Sequence, residues 1–118
     1  MNPEVDDIGP VLAALADPTR RQLLGALAEE GQASASRLAT RLPVSRQAVV
    51  KHLQLLEHAG LVSGGRSGRE VLYQVQTDSL EASARWMVDL AATWDRRLNA
   101  LKRAAERSTA TDDRQGNM

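Results

Sequence analysis

With 118 residues and 12.8 kDa, the chain has room for one domain with a modest core and not for two. It has no cysteine, which excludes disulfides, thiolate nucleophiles and thiolate metal sites, and no apolar run near the ~18–20 residues of a membrane span. A net charge of zero hides a division: residues 1–31 hold two basic and six acidic side chains, residues 32–75 six basic and two acidic, and residues 76–118 seven of each.

The opening M-N-P-E-V-D-D is acidic and unlike a signal peptide, so a cytoplasmic protein with no membrane partner is expected. Aromatic residues make up 3% and Phe is absent, so Leu, Val and Ala must build the core, which favours helix-on-helix packing. The expected fold is mainly α with a small β-hairpin. Residues 1–6 read as a flexible lead, 7–107 as the domain and 108–118 as a disordered tail.

Ile8, Val11, Leu12 and Leu15 share one helical face, predicting a first helix from about Asp7 to Ala16. Asp17-Pro18 starts a second, with Leu23, Leu24, Leu27 and Ala28 on its apolar side and Gly31 as its stop. Ser36 is the expected cap of a short third helix bearing Leu38, Ala39 and Leu42, ended by Pro43. Ser45 caps the next, from Arg46 to Ala59, with Gly60 at its end. Two helices joined by a few residues outline a helix-turn-helix.

Beyond Gly60 the pattern turns to short β-rich pieces around G-G-R-S-G-R, and Val71, Tyr73 and Val75 alternate with Leu72 and Gln74. A hairpin over 63–75, directly after a helix-turn-helix, is a wing. The last helix is predicted over about 78–107, roughly 28 residues or ~40 Å. Along it Leu80, Ala84, Met87, Ala91, Trp94, Leu98, Leu101 and Ala105 form a heptad seam, flanked by Trp86 and Leu90. Packing against a second copy, together with Val11 and Leu12 of the first helix, is the simplest use of that seam. Trp86 could also wall a small cavity.

On the fourth helix Val49, Leu53 and Leu56 form an inner stripe, with Ser45 and His52 on its flank. Gln47, Lys51, Gln54 and His58 point the other way, and Arg46 and Val50 sit on the border. Arg and Lys can donate to guanine, Gln can pair with adenine, and Val50 can meet a thymine methyl, so this face suits the DNA major groove. Arg66 and Arg69 of the wing could reach flanking phosphates. His52 reads equally as a phosphate contact or as a partly buried histidine bonded to a backbone carbonyl. Arg20 and Arg21 read as DNA-backbone contacts or as solvated side chains.

Three segments together, L-A-D-P-T-R-R-Q-L-L at 15–24, S-R-Q-A-V-V-K-H-L-Q-L-L-E-H-A-G-L-V at 45–62 and R-S-G-R-E-V-L-Y-Q-V at 66–75, resemble the ArsR/SmtB family of bacterial winged-helix repressors over about residues 5–105. The resemblance implies a homodimer, joined through its first and last helices, that binds a palindromic operator and blocks transcription. Arg46, Gln47, Val50 and Lys51 match the family's groove-facing positions and Arg66 and Arg69 its wing; Val50 stands where Ser is common.

Metal sensors of the family place Cys ahead of the recognition helix, where this chain has Q-A-S-A-S-R, or His and carboxylates on the last helix, which here has no His. With W-D-R-R-L-N-A-L-K at 94–102, the chain looks like the branch without metal ligands; a small-molecule or protein inducer is left open. No metal, no cofactor and no catalytic residue is expected, since no nucleophile–base pair or phosphate-cradling loop can be found and the two His do not converge. The remaining alternative to a DNA-binding regulator is a winged-helix module bound by a partner protein.

Overall fold

The computed structural model describes the backbone of residues 3–116 and the side chains of residues 8–109. Of the expected flexible ends, Met1, Asn2, Asn117 and Met118 lie outside the described residues. The elements in order are α1 (Pro3–Leu15), α2 (Pro18–Glu30), α3 (Ala35–Ala39), α4 (Arg46–His58), β1 (Val62–Ser67), β2 (Glu70–Val75) and α5 (Asp78–Gly116). Contacts divide the chain after Ala84 into two units.

In the first unit the helix ends follow from local chemistry. The Asp17 carboxylate accepts from the amides of Thr19 and Arg20 at 2.7 and 3.1 Å, and Pro18 occupies a position where no amide is needed. The α3 cap is Ser34 rather than the expected Ser36: the Ser34 hydroxyl accepts from the Arg37 amide at 3.1 Å, which starts the helix early enough to bury Ala35 with Leu38. Ser45 caps α4 by accepting from the Ala48 amide at 3.1 Å. At the far end the Leu61 amide donates to Leu56 O and the Gly60 amide to Glu57 O, with Gly60 at φ 79°. This paired closure needs a left-handed residue and brings Leu61 back against Leu56, both fully buried.

The core is aliphatic, as the lack of Phe requires. Leu23 and Leu27 of α2, Leu38 of α3, and Val49, Leu53 and Leu56 of α4 are each at 0% exposure, joined by Val11 of α1 and by Leu61. In α1 the buried stripe is Ile8, Val11 and Ala14, so the helix is rotated from the expected face and Leu12 is left 39% exposed. It also starts at Pro3, ahead of the expected Asp7.

β1 and β2 pair antiparallel from Val62↔Val75 to Ser67↔Glu70. Gly68 and Arg69 make the tip, with Gly68 at φ 64° and no other residue type at positive φ among the described residues; glycine first is the arrangement of a two-residue II′ turn. Gly64 faces Tyr73 across the ladder, and a Cβ there would stand 3.0 Å from the Tyr73 ring and 3.1 Å from Val71, so the missing side chain lets both lie across the strand. An unforeseen third element fixes the hairpin to the helices: Ala33, between α2 and α3, forms an isolated antiparallel bridge with Tyr73, the two exchanging amide–carbonyl bonds of 3.1 and 2.9 Å. The fold is a winged helix-turn-helix.

From Arg85 onward the second unit is the remainder of α5. The helix runs past the expected end at Arg107 to Gly116. No Pro or Gly interrupts residues 78–115, and the Thr109 hydroxyl, inside the stretch read as tail, donates back to Ala105 O at 2.9 Å.

Candidate nucleic-acid interface

The inner stripe of α4 is fully buried, and its outer side, Arg46, Gln47, Lys51 and Gln54, is exposed. Arg46 is the first helical residue, and its Nε donates to the Ser36 hydroxyl at 2.9 Å. The serine expected as a cap thus orients an arginine at the mouth of the turn. Val50 is half-buried and packs on the core. Arg46 and Val50 border a cleft of about 320 Å³ whose opposite wall is the hairpin, with Arg69, Val71 and Tyr73. The structure therefore brings together the start of α4 and one wing arginine. Arg66 borders a separate hollow of about 360 Å³ with Gln32, Leu72 and Gln74. Ser45, exposed beside Arg46, uses its oxygen as the cap.

The positive excess of the middle third is narrower than its sum. Of its six cations, Arg37 pairs with Glu30 at 3.1 Å, and Arg41 pairs with Glu29 and, at 3.4 Å, with Glu30. The hydrogen bond that Arg41 donates to Glu29, foremost, holds its guanidinium above its ordinary pKa. The acidic end of α2 thus neutralises two cations of the helix-turn-helix, and the four that form no salt bridge among the described residues are Arg46, Lys51, Arg66 and Arg69.

Arg20 settles differently from either alternative read for it. Arg20 turns inward: Nε donates to Ala14 O at 2.7 Å, Nη2 to Ala13 O at 3.3 Å, and Nη1 stands 3.8 Å from Asp17 Oδ2 and 3.5 Å from His52 Nδ1. The partner of half-buried His52 is a guanidinium and not a backbone carbonyl. Arg21 Nη1 donates to Leu15 O. Since α1 has no basic residue in its last turn, two arginines of α2 cap its carbonyl end from outside, where cations also oppose the helix dipole. Asp17 lies below its ordinary carboxylate range, chiefly because the Arg20 amide bonds its charged form.

The seam residues divide by place. Val11 is fully buried in the core of its own unit, and half-buried Leu80 packs against that core, so of the α1 pair only Leu12 remains on the surface. On α5, Met87, Trp94, Leu98 and Leu101 are 45–67% exposed, and Ala84, Leu90 and Ala91 are exposed with them. Trp86 is half-buried. Sequence reasoning passed over Leu55, 52% exposed on α4, which lines an apolar hollow of about 200 Å³ with Pro10, Ala13 and Ala59; its spacing of two from Leu53 was the available signal.

A capped helix behind a short helix and turn, with an arginine-bearing hairpin across a cleft from it, defines a winged helix-turn-helix regulator. A helix-turn-helix domain family matches residues 15–64. The chain is 33% identical over 79 residues to the transcriptional repressor SdpR of Bacillus subtilis, covering 67% of this chain and 87% of that protein. An ArsR-like transcriptional regulator from Rhodococcus sp. RHA1 superposes with a TM-score of 0.77 at 46% identity, over 86% of this chain and 94% of that one. A homodimeric winged helix-turn-helix DNA-binding domain from Mycobacterium bovis does so at 0.60 and 29% identity, over 75% and 81%. The chain belongs to the ArsR family of winged helix-turn-helix transcriptional regulators.

Proposed function

We propose that the protein is a cytoplasmic homodimeric repressor that binds a palindromic operator. Two copies of α4 enter successive major grooves ~34–36 Å apart, and the hairpins lie on the flanking phosphates. The observation that supports this best is that the four cations of residues 32–75 with no salt bridge among the described residues all lie on α4 or the hairpin. Arg46, Gln47, Lys51 and Gln54 offer donors and amides to base edges, and Arg66 and Arg69 offer charge to the backbone. The exposed α5 seam with Leu12 joins the two copies. Blocking the promoter then represses, and an inducer that alters the angle between protomers weakens both groove contacts together.

Footprinting over the protein's own upstream region, followed by a salt titration of the protected fragment, tests this. Affinity is expected to fall linearly on a log–log plot, with a slope of about −0.9 for each phosphate neutralised. Affinity indifferent to salt would overturn the reading.

A further inference from the structure

The α1–α2–α4 junction is built around one side chain. Arg20 is 15% exposed, and its guanidinium meets groups from three places: the Ala13 and Ala14 carbonyls at the end of α1, the Asp17 carboxylate that caps α2, and His52 of α4. A guanidinium only donates, and His52 Nδ1 is the ring nitrogen that faces it, at 3.5 Å. His52 follows Lys51 and lies one turn from Ala48 and Leu55, on the flank between the buried stripe and the exposed face. No other described contact of a charged side chain joins α1 to α4.

We propose that Arg20 is a positioning residue for DNA recognition: it fastens α4, through His52, to the end of α1, and so sets the angle at which the groove-facing side chains are presented. The planar fork is what the role requires, because one group must satisfy carbonyls on one side and an imidazole on the other; an ammonium cannot span both. Since α1 also carries Leu12, the joint places the reading helix in register with an element assigned to the dimer contact. The inference rests on the DNA-binding reading above, and specificity is the property it governs. A small rotation of α4 misplaces base-edge contacts while leaving its charges beside the phosphates.

The test measures binding by fluorescence anisotropy, over a salt series, to the footprinted fragment and to a scrambled duplex. Wild type is compared with Arg20→Lys, Arg20→Met, His52→Leu and the Arg20→Met/His52→Leu pair. Each single variant should lose about tenfold on the footprinted fragment and less than about twofold on the scrambled one, with the salt slope unchanged. The pair should lose no more than either single variant, because both cut the same link. Thermal melts identify any variant that does not fold, and His52→Leu then decides alone by the same tenfold criterion. A salt slope shallower by about one in Arg20→Met would make Arg20 a phosphate contact and overturn the proposal. So would additive losses in the pair, or earlier melting with unchanged affinity. If wild type itself fails to distinguish the two duplexes, it is the DNA-binding reading that falls.

Discussion

Helices α4 and α5 are both two-sided, and they leave opposite sides uncovered. On α4 the apolar stripe is closed off completely, Val49, Leu53 and Leu56 all at 0%, and what faces outward is Arg46, Gln47, Lys51 and Gln54. On α5 the large apolar seam residues Met87, Trp94, Leu98 and Leu101 are 45–67% exposed. A polar outward face with unneutralised cations suits a charged, hydrogen-bonding partner, whereas an apolar face repeating at heptad spacing suits another helix. The two helices thus differ in the chemistry of the side each does not bury.

The contrast can be broken from either end. The largest effect belongs to Arg46→Ala combined with Lys51→Ala, which should lower operator affinity at least ~100-fold by anisotropy, at ~1–3 kcal/mol for each base-edge pair lost. Sedimentation should show the dimer unchanged. Trp94→Glu with Leu98→Glu should do the reverse, converting dimer to monomer in sedimentation while far-UV circular dichroism stays that of a folded protein. Leu53→Ala sharpens the difference between the stripes: at 0% exposure it should cost ~2–5 kcal/mol in urea unfolding. Arg69→Ala should leave fold and dimer intact and make the salt slope shallower by about one per site.

The smallest effect comes from Asp17→Asn, read as a lower urea midpoint. The folded pKa of Asp17 is depressed below the ordinary 3.8, so its contribution is present at pH above that value and lost as the pH falls through the folded one. The gap between the two urea midpoints should be widest near neutral pH and close below 3.8.

What could be read directly from the chain was whatever depends on neighbours in sequence. Asp17-Pro18, Ser45 and Gly60 are helix punctuation, and α2 and α4 start and stop where those residues place them. The wing was legible because alternation and a glycine tip are also local. What escaped depends on distant partners. Ser34 and Ser36 are interchangeable as sequence, and only the approach of Arg46 shows why the second is not the cap. Arg37 and Arg41 look as available to DNA as Arg46 until Glu29 and Glu30 are seen beside them. Val11 and Leu12 are equally apolar, and the rotation that buries one and exposes the other is set by packing against α2 and α4. Arg20 belongs to the same group, since its partners lie six residues back and thirty-two ahead.

The single-residue bridge between Ala33 and Tyr73 makes the hairpin a cantilever. Its root is riveted to the body by two amide–carbonyl bonds, while Gly65 and the Gly68 tip are open to solvent with nothing near where a Cβ would stand. The root amide of Tyr73 should resist deuterium uptake and those at the tip should exchange freely, so that the far end can adjust to a duplex without disturbing the anchored one.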